Sequence, residues 1–152
     1  MNLQERIKEL NLELPPPPPP AGVYKPVVVI GNMLYVSGQG PMRSDGTLIT
    51  GRLGDDMRLD QGYEAARQVG LTMLSTINTH YDLSKVKRIV KTLGMVNCTA
   101  NFPNHPKVIN GFSDLFRELL GPDFGVGARS AVGMMLPFGV AVEIESIFEI
   151  HT

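Results

Sequence analysis

VEIESIFEI, Val142 to Ile150, is the stretch whose reading decides the fold. Residues two apart in an extended chain share a face. Val142, Ile144, Ser146 and Phe148 therefore lie on one side, and Glu143, Glu145 and Ile147 on the other. The pattern predicts a strand from Val140 to Ile150 with apolar residues on both faces. Glu143 and Glu145 stand roughly 6–7 Å apart by strand rise. Burying two carboxylates in so apolar a stretch is costly unless they are paired or catalytic. The alternation leaves two readings open: exposed glutamates on a solvated edge, or acids with a chemical task, carried by Glu143 or by Glu145.

Upstream, across Leu136-Pro137-Phe138-Gly139, Ala128 to Met135 reads as the preceding strand, entered from a glycine-rich loop, Phe124 to Gly127. Lys107 to Leu120 carries Val108, Ile109, Phe112, Leu115, Phe116, Leu119 and Leu120 at helical spacing, begins after Pro106 and stops at Gly121-Pro122. Val86 to Val96 reads as a long strand. Asp60 to Tyr81 is the strongest helix, with Tyr63, Ala66, Val69, Met73, Leu74 and Ile77 on one stripe and Asp60 as the expected N-cap. Gly62 and Gly70 inside it each cost roughly 1 kcal/mol against alanine, which predicts close packing, expected against a sheet. Toward the N-terminus, VVVI and MLYV flank Gly31-Asn32, a hairpin signal, and Asp45-Gly46 precedes an expected short strand at Thr47–Thr50. Leu3, Ile7 and Leu10 predict a short amphipathic helix over 2–10. Pro15 to Pro20 is an obligatory polyproline II stretch. No basic residue flanks it in the manner of a ligand for proline-binding domains, so it reads as a stiff strap. The division is thus 1–20, helix and strap, and 21–152, the folded domain.

The predicted order is β, β, short β, α, β, α, β, β: an α+β chain with two helices on one face of a single sheet. The other face is left with apolar residues from nearly every strand and no helix to cover it, so self-association is expected. The 152 residues suffice for one core, with 43% hydrophobic and 19% charged residues in the globular range. A net charge of −1 without a basic stripe makes nucleic acid an unpromising partner. Cys98 is the single cysteine, read as a small core hydrophobe, and His80, His105 and His151 are scattered, read as surface or capping residues, so neither a disulfide nor a metal site is expected. The mixed-charge N-terminus is no signal peptide, and no apolar run spans a bilayer, which makes the cytoplasm the expected compartment.

Arg129 follows Gly125, Gly127 and Ala128, where backbone can approach a ligand closely. Its guanidinium suits bidentate capture of a carboxylate, or pairs with Glu143 or Glu145. Ser37 leaves a strand in a glycine-rich exit with no partners for a hydrolytic triad, and Ser37-Gly38-Gln39-Gly40 matches neither a nucleophile elbow nor a phosphate loop. Asn110, inside a helix, reads as surface or as a site residue.

Together, Tyr24, GNMLYVSGQGP (Gly31–Pro41), KVINGFSDLF around Asn110, GARSAV (Gly127–Val132) and VEIESIFEI resemble the reactive intermediate deaminase family, RidA/YjgF, over residues 21–150. The resemblance implies a chorismate-mutase-like fold and a homotrimer whose sheets form a barrel-like core with clefts between subunits. It implies cofactor-free hydrolysis of enamines and imines such as 2-aminoacrylate to 2-keto acids and ammonia. By the same resemblance Arg129 binds the substrate carboxylate and Glu143 activates water, while Tyr24, Ser37, Gly38, Asn110, Gly127 and Ala131 line the cleft. Ala131 stands where many members carry cysteine, and the run from Arg129 to Leu136-Pro137 is one residue shorter than usual. A ribonuclease activity, often attached to the family, finds no His/His or His/Lys pair here, and a ligand-binding role without turnover is the alternative.

Overall fold

A computed structural model describes residues 1–152. The expected short helix is α1 (Leu3–Glu9), capped reciprocally by Asn2 and Glu5. Next come the strands β1 (Val27–Ile30) and β2 (Met33–Gln39) and the helix α2 (Leu59–His80). They are followed by β3 (Val86–Asn97), α3 (His105–Phe124), β4 (Ala128–Met134) and β5 (Val142–Ile150). One five-stranded sheet runs β1-β2-β5-β3-β4, with only β3 and β4 parallel. The mixed α+β architecture is the expected one.

The hairpin closes Ile30 on Met33, with Gly31 at φ +58° as the turn demands. Several boundaries differ from expectation. Thr47–Thr50 is not a strand but part of a loop held by isolated bridges, Met42 to Leu48 and Thr50 to Val140. Arg58, not Asp60, caps α2: Gln61 reaches back to the Arg58 backbone N–H, and Asp60 instead pairs with the exposed Arg58 guanidinium. The helical glycines do mark close packing, though not against the sheet. A Cβ at Gly62 would lie 2.8 Å from Leu53, and one at Gly70 2.7 Å from Leu115 of α3. Gly121 ends the regular part of α3 at φ +87°.

One core of 26 residues unites α1, α2, α3 and the helix-facing side of the sheet, including Leu3, Leu34, Phe112, Phe116, Ile144 and Phe148. The strap joins this core. Pro15 is buried, and its carbonyl accepts a bond of 2.6 Å from the buried Ser75 hydroxyl on α2. On the opposite face of the sheet, Val28, Tyr35 and Val132 are exposed with no element of the chain above them. No helix is long and apolar enough to cross a membrane.

Candidate active site: two residue clusters on one sheet

The pairing of β2 with β5 slips between Val36 and Gln39, so that one extra residue is accommodated at Ser37-Gly38. Such a bulge bends the strand and re-aims its neighbours. Here it brings the Gly38 backbone against the Glu143 carboxylate, close enough that a Cβ on Gly38 would sit 2.5 Å from Glu143 Oε2. Ser37 does not present its hydroxyl freely; Oγ donates to the Lys25 carbonyl at 2.6 Å and ties β2 to the chain leading into β1. The Tyr24 hydroxyl accepts the Ala21 N–H at 3.0 Å, fixing the end of the strap, and retains its own proton for donation. Tyr24, Ser37, Gly38, Glu143 and Glu145 thus line one cleft of about 680 Å³. Glu143 is half-buried on the open face of the sheet, as alternation along the strand predicts. Burial, reinforced by the charge of Glu145, raises the Glu143 carboxyl above its ordinary range.

Arg129 lies elsewhere. In register it stands beside Thr92, which pairs with Ser146. Thr92 and Ser146 are buried on the helix-covered side and bond to each other at 3.0 Å. Arg129 therefore points to the helix side of the edge strand β4, and Glu143 to the open side of β5. It donates to Ser113 Oγ at 3.1 Å and to the Pro106 carbonyl at 3.2 Å, both on α3. It forms no ion pair within the chain, which corrects the reading of an internal pair with Glu143 or Glu145. Asp114, the nearby acid, accepts instead from the Tyr63 hydroxyl at 2.7 Å. Asn110, exposed on α3, and Gly127 share this depression of about 220 Å³ with Arg129. A side chain at Gly127 would collide with the Val90 and Ile89 carbonyls. Ala131, two residues on, packs partly buried against the core on the same side as Arg129.

The eight sequence-derived residues thus fall into two groups. Tyr24, Ser37, Gly38 and Glu143 gather in the larger cleft, Asn110, Gly127 and Arg129 in the smaller, with Ala131 beside them. Arg129 and Glu143 stand two strands apart and three residues out of register, and the two groups lie on opposite sides of the sheet. One chain does not bring them together.

A family model described as "YjgF/chorismate mutase-like, putative endoribonuclease" matches residues 4–138. The chain belongs to this family. The match takes in the proline run and β1 to β4, and ends before β5. Protein TCP17 of Trypanosoma cruzi is 38% identical over 147 residues, 95% of this chain and 92% of that protein. The structure of protein Atu1372 from Agrobacterium tumefaciens has a TM-score of 0.85 at 39% identity, covering 99% of this chain and 92% of its own. RidA from the Antarctic bacterium Psychrobacter sp. PAMC 21119 aligns with a TM-score of 0.57 and 26% identity over 88% of this chain and 94% of that one.

Sequence reasoning missed three contributors. Ser113 and the Pro106 carbonyl hold Arg129, but hydrogen bonds between distant segments leave no periodic signal. The strap lines the larger cleft through Pro18 and Pro19. A polar stripe on α2, Gln68, Thr72, Ser75 and Thr76, bonds to Met42, Gln39 and Pro15. Its i, i+4, i+7, i+8 spacing was the available signal. His105 is also not a plain surface residue: its Nε2 lies 3.3 Å from Cys98 Sγ, and burial raises the thiol's pKa.

Proposed function

We propose that the protein is a cytoplasmic, cofactor-free deaminase of reactive enamines and imines, of the 2-aminoacrylate type, working as a homotrimer with its sites between subunits. The observation that carries this reading is an arginine held in place by neutral groups, with no anion of its own chain, on a surface distinct from the half-buried Glu143. Two of its N–H groups are spent on Ser113 and Pro106, and the rest of the guanidinium remains for a carboxylate. In the proposed site Arg129 of one copy meets the Glu143 cleft of another. The exposed apolar face of the sheet supports that association.

The chemistry follows from these groups. Arg129 holds the substrate carboxylate, and Asn110 and Gly127 shape its seat. An enamine first takes a proton at carbon to become the imine. Water, with its proton drawn to Glu143, adds to the imine carbon. The same acid returns the proton to nitrogen to give the carbinolamine; Glu143 then takes the hydroxyl proton and passes it to the amino group, and ammonia leaves as the carbonyl forms. Burial and the neighbouring Glu145 raise the Glu143 pKa, which strengthens it as a base and suits it to proton transfer. Imine hydrolysis has a modest barrier, so positioning supplies most of the acceleration.

The ribonuclease named in the family description has less support, since neither depression is lined by a histidine or a lysine. Ala131, in place of the cysteine common among deaminases, favours as second reading a carboxylate-binding protein without turnover. A coupled assay separates the two. An amino-acid oxidase generates imines in situ, and keto-acid release is followed with and without the protein. Acceleration by the wild type and its loss in Arg129→Ala is the expected outcome. Tight keto-acid binding without acceleration would replace the enzyme by the binding protein.

A further inference from the structure

The proline strap has a position that a mere tether does not need. From Pro15, clipped to Ser75, a polyproline II chain advances about 3.1 Å per residue. That carries Pro18 and Pro19 onto the rim of the Glu143 cleft, and the Ala21 N–H to Tyr24 bond fixes the far end. The loop after β2 is set by the same helix. The Met42 N–H donates to the Thr72 hydroxyl and the Met42 carbonyl accepts from the Gln68 amide, beside the Ser75 that holds the strap. One polar stripe on α2 therefore positions two walls of one cleft.

Those walls are apolar. Pro18, Pro19, Met42, Leu48, Phe138 and Val140 line the cleft together with the two glutamates. Proline has no N–H, so the rings of Pro18 and Pro19 present an apolar wall whose backbone donates no hydrogen bond. Phe138 is held at φ +59°, a conformation that costs free energy in a non-glycine residue, and the residue is 75% exposed. A cleft of about 680 Å³ lies in the range of sites for ligands well beyond the smallest imino acids.

We infer that the strap is the specificity wall of the site, selecting 2-imino acids with a bulky apolar side chain, of the leucine, methionine or phenylalanine kind, over the alanine-derived imine. This rests on the deaminase reading for the reacting end of the substrate. The side chain lies against Pro18 and Pro19, and the reacting carbon lies toward Glu143.

The test compares imines made by an amino-acid oxidase from leucine and from alanine. Wild type is expected to favour the leucine-derived imine in kcat/KM by about 10-fold or more, as one apolar pocket filled by added methylenes allows. In Pro18→Ser/Pro19→Ser that ratio is expected to fall at least about fivefold, and Leu48→Ser, on another wall, should lower it independently should the strap variant fold poorly. Equal kcat/KM for both imines in wild type, or a ratio unmoved in the variants, would overturn the strap's role and leave the deaminase reading intact. Absence of turnover on every imine would overturn the deaminase reading alone. The wall is then read by calorimetry with 4-methyl-2-oxopentanoate against pyruvate, where equal affinity overturns it and a preference lost in the variants supports it.

Discussion

At the smallest scale the proposed site rests on Gly38 and Glu143. The bulge at Ser37-Gly38 leaves no room for a methyl group beside the Glu143 carboxylate. Gly38→Ala is therefore expected to push that carboxylate aside and lower kcat by about 100-fold, the order of loss that a displacement near 1 Å produces. Gly38 is exposed, so its melting temperature should move little, and a near-wild-type kcat would contradict the placement. Glu143 also predicts a pH effect. Its carboxyl is raised by burial and by Glu145, so above the ordinary carboxylate range the native chain holds a proton that the unfolded chain releases. Stability contributed at this position thus falls as pH rises through that window. Glu143→Gln removes the effect, and the urea midpoint of the variant should gain on that of the wild type as pH rises above the ordinary carboxylate range. Parallel curves would exclude it.

At the scale of elements, α2 is held by two kinds of polar contact. Ser75→Ala leaves the Pro15 carbonyl without its donor and is expected to cost about 1–3 kcal/mol in urea unfolding. The strap should loosen with it, read as faster amide exchange at Ala21. Tyr63 joins α2 to α3 through Asp114, and the bond raises the phenol's pKa. Tyr63→Phe should lose about 1 kcal/mol. The wild type's advantage is present below about pH 10 and disappears as pH rises past the raised value. Elements were the most readable part of the sequence. Apolar spacing over Asp60–Tyr81 and Lys107–Leu120 and the Gly31-Asn32 turn are local signals, and each produced its element. What remained illegible was non-local. Thr47–Thr50 has strand-like residues but finds only Val140 and Met42 as single bridging partners. Gly62 and Gly70 announce close packing without naming Leu53 and α3 as the neighbours. The six prolines announce stiffness, whereas the cleft they border depends on where Ser75 fastens them.

At the scale of the whole molecule, alternation in VEIESIFEI placed Glu143 and Ser146 on opposite faces, and β3 carried Arg129 to the Ser146 side. The list of site residues was legible from the resemblance. Their separation into two groups was not, because it depends on β5 inserting between β2 and β3. The proposed association of identical chains would cover the open apolar sheet face and bring the two groups of residues together. Sedimentation is expected to give a single trimeric species, and a monomer at micromolar concentration would remove the basis for a shared site.

The most direct test of the shared site is subunit complementation. Arg129→Ala and Glu143→Gln proteins, each inactive toward imines alone, are unfolded together and refolded as mixed oligomers. A copy with an intact Arg129 then meets a copy with an intact Glu143, and random assortment around a closed ring should restore roughly a quarter of wild-type activity. Mixed oligomers no more active than either parent would mean that Arg129 and Glu143 do not form one site across the interface.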